Sequence, residues 1–176
     1  MLDRLNRKLG CALALLLAAT GCAPVVLDAN PDTFPVPPLA ASGVRAQQSI
    51  SLVNAYTAEQ KVVVFPGGPT WVADMKQHTD TAITLLGRAM SGQGVKIESS
   101  AGKTVTLRVT DVQAAPRGFV IGSSLVLEAE YGDGTKSRIP TQNSSPSDAW
   151  RAVSGALTFA VNGLLNDRAF LAYVNN

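Results

Sequence analysis

Cysteine is nearly absent: the 176 residues hold only Cys11 and Cys22, both close to the amino terminus. Nothing downstream can therefore form a disulfide, a thiolate metal site or a redox dithiol. Histidine is scarcer, with His78 alone, so a transition-metal site would have to be built from carboxylates, against the ligand preferences of those metals. After Cys22 no apolar run reaches the length, about 18 residues, that a membrane-crossing helix requires. Basic runs are missing as well, which removes the electrostatic footprint of a nucleic-acid binder. No G-x-S-x-G elbow occurs, and Gly67-Gly68 and Gly92-Gln93-Gly94 match no phosphate-binding loop.

What is present begins with a legible leader. Arg4, Arg7 and Lys8 precede the apolar segment Leu9 to Ala19, and the small residues Thr20 and Gly21 follow it. A basic region, a short hydrophobic region and a small-residue cleavage site together read as a secretory signal. Removing residues 1–21 leaves 155 residues, enough for one domain with a substantial core. It also takes Asp3, Arg4, Arg7 and Lys8 from the 13 acidic and 15 basic residues, leaving 12 of each. The net charge of +2 thus belongs to the leader, and the remainder is neutral.

The cleavage point falls directly ahead of a cysteine. Ala19-Thr20-Gly21-Cys22 resembles the lipobox of bacterial lipoproteins, with Ala19 where that family usually has Leu. The resemblance implies that Cys22 is lipidated, becomes the first mature residue and attaches the chain to a membrane through acyl chains. Ala23 follows it, where lipoproteins held at the inner membrane of enteric bacteria typically carry Asp. That likeness points to the outer membrane, with the domain in the periplasm.

Residues 22–42 read as a tether and 43–176 as a single domain. Pro24, Pro31, Pro35, Pro37 and Pro38 remove donors and disfavour helix and inner strand alike. Roughly 20 such residues at about 3.1 Å each would reach some 60 Å. Alternatively the segment folds onto a partner, with Phe34 and Val36 as anchors.

The domain alternates strand and helix signals. Ile50 and Leu52 mark the inner face of a first strand, and Lys61 to Phe65 form a second, ended by Pro66-Gly67-Gly68-Pro69. Ala82, Leu85, Leu86 and Ala89 give a helix over 77–91, capped by Thr79 or Asp80. Three strands follow: a short one at 95–97, an alternating one around 104–110, and a long one from Phe119 to Tyr131. Gly132-Asp133-Gly134 turns that last strand back through 135–139. Ser145 and Pro146 start a second long helix, and a short one closes the chain. The expected fold class is α+β: a two-layer sandwich of one mixed, mainly antiparallel sheet with two helices on one face. Its order is ββαβββα plus a short C-terminal helix.

From Thr79 to Val174 this order and spacing resemble the YajG-type periplasmic lipoproteins. More loosely, they resemble accessory lipoproteins of lipid-exporting ABC systems and the lipopolysaccharide-assembly lipoprotein. The likeness lies in the helix ending at Met90-Ser91-Gly92-Gln93-Gly94-Val95, the hairpin Glu130-Tyr131-Gly132-Asp133-Gly134-Thr135-Lys136, and the helix closing in Leu164-Leu165-Asn166-Asp167. It implies a lipid-anchored α/β domain without catalysis, working through contacts, and carries over no functional residue except Cys22.

The residues agree with a non-catalytic reading. His78 reads as a surface residue at a helix start. Glu128 and Glu130 share a strand face and could pair as catalytic carboxylates, but next to a hairpin a solvated sheet face is expected. No cofactor and no metal site are expected. The face carrying Thr106, Arg108, Val126, Glu128 and Glu130 is the candidate surface for an envelope protein partner. The alternative is a carrier of an apolar ligand, or an auxiliary component of a lipid transport system. Alanines 82, 89, 156 and 160 would then leave room for a ligand rather than permit close helix docking.

Overall fold

The computed structural model describes residues 23–32, 43–45, 48–65 and 70–176. In chain order the strands are β1 (Val25–Leu27), β2 (Ile50–Asn54), β3 (Lys61–Phe65) and β4 (Trp71–Asp74), followed by helix α1 (Met75–Ser91). Then come β5 (Lys103–Arg117), β6 (Val120–Tyr131), β7 (Lys136–Ser145), α2 (Ala149–Leu165) and α3 (Arg168–Asn175). The class is α+β, with mixed, mainly antiparallel sheets and helices packed against them.

The strands divide between two sheets rather than forming the single one expected. A four-stranded sheet has the order β2-β5-β6-β7, with β2 parallel to β5 and the other pairs antiparallel. A three-stranded sheet has the order β1-β4-β3, with β1 parallel to β4. Both α1 and α2 lie on one side of the larger sheet, and α1 also continues directly from β4.

The larger sheet forms as its alternation dictates. Val105, Leu107 and Val109 on β5, with Leu125, Leu127, Ala129 and Tyr131 on β6, point inward and are buried. Against them α1 presents Ala82, Leu85, Leu86 and Met90, and α2 presents Val153, Ala156, Leu157, Ala160, Val161 and Leu164. The tight return from β6 to β7 uses Gly134 at φ +85°, while the Asp133 carboxylate accepts from the Thr135 amide at 2.9 Å.

Several expectations give way to tertiary context. Residues 23–32, taken as part of a tether, are paired and packed. Val25–Leu27 joins β4, Leu27 and Ala29 are buried, and the Thr81 hydroxyl donates to the Ala29 carbonyl. Residues 33–42 and Cys22 lie outside the described residues. Trp71–Asp74 is a strand, so the cap of α1 is Asp74, which accepts from the Lys76 amide, rather than Thr79 or Asp80. Residues 95–97 contribute only an isolated bridge, Ile97 to Ile50. The polar run 142–145 is the end of β7, and Asp148 rather than Ser145 caps α2.

Glycines test how closely the helices dock. A Cβ at Gly155 on α2 would fall 2.0 Å from the Asn143 amide nitrogen of β7, whereas one at Gly87 on α1 meets only Leu52 Cδ1, at 3.6 Å. The Asn143 amide is held in place because it donates to the Ala152 carbonyl at 3.1 Å. Gly87→Ala should therefore stabilise the fold by up to about 1 kcal/mol through helix propensity. Gly155→Ala should destabilise it by about 1–3 kcal/mol through overpacking. Urea midpoints of the two variants check the opposite signs.

Candidate functional site

Because the helices cover one side of the larger sheet, the other side is open, and the pleat sends every second residue there. Register then builds rows across three strands. Thr106 on β5 pairs with Glu130 on β6, which pairs with Lys136 on β7; Arg108, Glu128 and Arg138 form the next row; Thr110, Val126 and Pro140 the third. Lys136 Nζ lies 3.0 Å from Glu130 Oε2, and Arg138 Nε 3.7 Å from Glu128 Oε1. Arg138 Nη2 also reaches Asp111 Oδ2 at 3.2 Å.

A bulge puts Asp111 within that reach. The β5–β6 register shifts between Thr110 and Gln113, and Asp111 takes φ +54°, a left-handed conformation that Asp tolerates better than most residues. On the flank, the Arg108 guanidinium sits 5.5 Å from the centroid of the Tyr56 ring. The Tyr56 hydroxyl donates to the Val109 carbonyl at 2.9 Å. Burial pushes the Tyr56 phenol above its ordinary value, with Arg108 opposing and Glu128 and Asp111 adding to the rise.

Thr106, Arg108, Glu128, Glu130, Lys136 and Arg138 together line an open concavity of about 630 Å³. All five residues singled out from the sequence thus share one face. Val126 stands one row away, 94% covered by its neighbours (6% exposed), beside a second hollow bounded by Asp111 and Gln142. Sequence reasoning missed Lys136, Arg138, Asp111 and Tyr56. The first two were within reach, because the 132–135 turn sets Lys136 opposite Glu130 and Arg138 opposite Glu128. Asp111 and Tyr56 depend on the bulge and on the parallel β2–β5 pairing.

The arrangement suits recognition more than acid–base chemistry. A general-acid carboxylate is made by an apolar pocket, but the Glu128 and Glu130 side chains are 42% and 56% exposed and each adjoins a cation. With three cations and three carboxylates, the face is neutral overall and strongly patterned in sign. Among the described residues no group of three or more His, Cys, Asp or Glu side chains is placed to hold a metal. No described helix is long and apolar enough to cross a membrane. No protein-family model matches the chain, and comparison with curated proteins finds none similar to it.

His78 departs from its expected surface position. It is 1% exposed, on the inner side of α1, with Nδ1 2.8 Å from the Asp74 carbonyl. A carbonyl only accepts, so Nδ1 carries the proton of a neutral ring. Burial holds the imidazole below its ordinary value, and the Asp74 carbonyl with the charges of Asp74 and Asp28 offsets this in part. The unfolded chain therefore takes up this proton first as pH falls. Stability should decline below about pH 6.5, with a slope of up to about 1.4 kcal/mol per pH unit from this group. His78→Gln should flatten that part of the profile, measured as urea midpoints between pH 5 and pH 8.

Proposed function

We propose that this chain is a lipid-anchored envelope lipoprotein that acts through protein–protein contacts on the open face of its larger sheet, without catalysis. The anchor is Cys22, on the strength of Ala19-Thr20-Gly21-Cys22 behind its basic and apolar leader. The outer membrane and a periplasmic domain are the corresponding location, and the likeness to YajG-type lipoproteins is in keeping with it. The observation that carries the contact role is the concavity edged by Arg108, Arg138 and Lys136 against Glu128 and Glu130, with Asp111 joined to it from the neighbouring hollow through Arg138. Alternating signs at fixed spacing discriminate between protein surfaces by complementarity, whereas a polyanion would want one sign. The carrier alternative needs space between helices and sheet. Ala82, Ala156 and Ala160 there are fully buried within the core cluster and Ala89 packs half-buried at its edge, which favours docking.

Photo-crosslinking in living cells tests the contact role. A crosslinker at Thr106 or Arg138 should trap a discrete envelope protein, while one at exposed Arg151 on α2 should not. Glu128→Gln with Glu130→Gln should cut the adduct by about tenfold or more. Exposed ion pairs contribute little to stability, so the melting temperature should move by no more than about 4 °C. Equal adducts from the helix and sheet positions would overturn the assignment. Separately, Cys22→Ser should leave an uncleaved, unacylated precursor, read by intact mass.

A further inference from the structure

We propose that the three-stranded sheet rests against the lipid surface through its apolar end, so that the domain sits on the membrane rather than hanging from a long tether. This rests on the anchoring read at Cys22. Between Cys22 and Val25 the chain can span at most about 11 Å. The pairing of β1 with β4 consequently abolishes the 60 Å reach that the prolines suggest. Whatever holds Cys22 is held within that distance of the sheet.

The end nearest Cys22 has the chemistry of an interfacial surface. Because β1 runs parallel to β4, Val25 lies beside Trp71, and the Val25 amide donates to the Thr70 carbonyl at 2.8 Å. Trp71 in turn packs on Phe65, with ring centroids 4.7 Å apart. Register sets Val26, Val72 and Val63 in one row across the sheet, and Val26 and Val63 are 57% and 58% exposed. Charge is confined to the opposite end of this sheet, where Lys61 lies across from Asp74 in the strand register. A partly exposed Trp among valines, with charges withdrawn, is the composition that settles at the headgroup boundary, about 5–10 Å deep. Contact of this kind fixes orientation, which acyl chains alone leave free.

Fluorescence quenching in vesicles tests it on the full-length protein, purified after processing in bacteria. Single cysteines at Val26, Val63 and Ala172 receive an environment-sensitive fluorophore. Ala172 lies on α3, which is bonded to the far end of β5 where the Thr104 amide donates to the Tyr173 hydroxyl at 2.9 Å. The vesicles are phosphatidylethanolamine and phosphatidylglycerol with doxyl-labelled chains. Quenching at 26 and 63 should exceed that at 172 by about threefold or more if the sheet lies within the interfacial layer. Equal quenching at all three sites, or none at 26 and 63, overturns the proposal. Shielding of both from aqueous quencher without lipid quenching does so as well, since it reports a protein or a second copy on the sheet. The two valines lie on different strands, so a folding defect in one variant leaves the other to decide. Intact mass of the unsubstituted protein reads the anchor separately. Acyl mass without quenching at 26 and 63 removes only the resting geometry, while a free Cys22 thiol removes both readings.

Discussion

Exclusion of water from the interface between the β5–β6 pair and the two long helices is the constraint on which the rest of the structure depends. The inward rows Val105-Leu107-Val109 and Leu125-Leu127-Ala129 are useful only if covered, and the stripes of α1 and α2 cover them. Small residues set how close the cover comes: Ala156, Ala160 and Gly155 let α2 lie on β6 and β7 almost without a gap. Polar ties then fix the register of helix on sheet. Thr79 accepts from the Val109 amide at 3.0 Å, and Asn54 donates to Asp80 at 2.7 Å. The first satisfies a buried amide that would otherwise be left unpaired, and the second ties Asn54, which also donates to the Lys76 carbonyl at 3.0 Å, to a carboxylate shared with Lys76.

The open face follows from the same constraint. Helices on one side oblige the other side to face water, and cross-strand pairing of opposite charges is the sheet's means of doing so without local repulsion. The bulge at Asp111 links the two sides. It shifts the alternation by one residue, so that Val112 and Ala114 stay in the core beyond it. The residue it extrudes becomes the second carboxylate of Arg138. A non-glycine residue at positive φ costs on the order of 1–2 kcal/mol, which the buried valine and alanine offset.

The fold was legible wherever local chemistry governs it. The 3.6-residue periodicity of Ala82, Leu85 and Leu86 and the alternation from Val105 to Tyr131 each mark a buried face directly. The glycines of the 132–135 turn fix the β6–β7 register and with it the Glu130–Lys136 pairing. Helix starts were less legible, because Asp74 and Asp148 compete with several nearby residues equally able to cap. Pro24, just ahead of Val25–Leu27, signalled an extended segment correctly in conformation but not in role, since an extended segment is also what an edge strand requires, whereas Pro31 falls in a turn at 31–32.

By itself, then, the sequence determined the helices α1 and α2, the antiparallel meander β5–β6–β7 and the polar face that carries Thr106, Arg108, Glu128 and Glu130. Those depend on neighbours a few residues apart or joined by a tight turn. Tertiary structure alone decided the division into two sheets. It decided too that Val25–Leu27 pairs with β4, that Ile50–Asn54 pairs with β5, and that His78 is buried. Parallel pairing joins segments about 50 residues apart with no turn to announce it. The burial of a histidine is settled by what packs against its helix, not by the residues beside it in the chain.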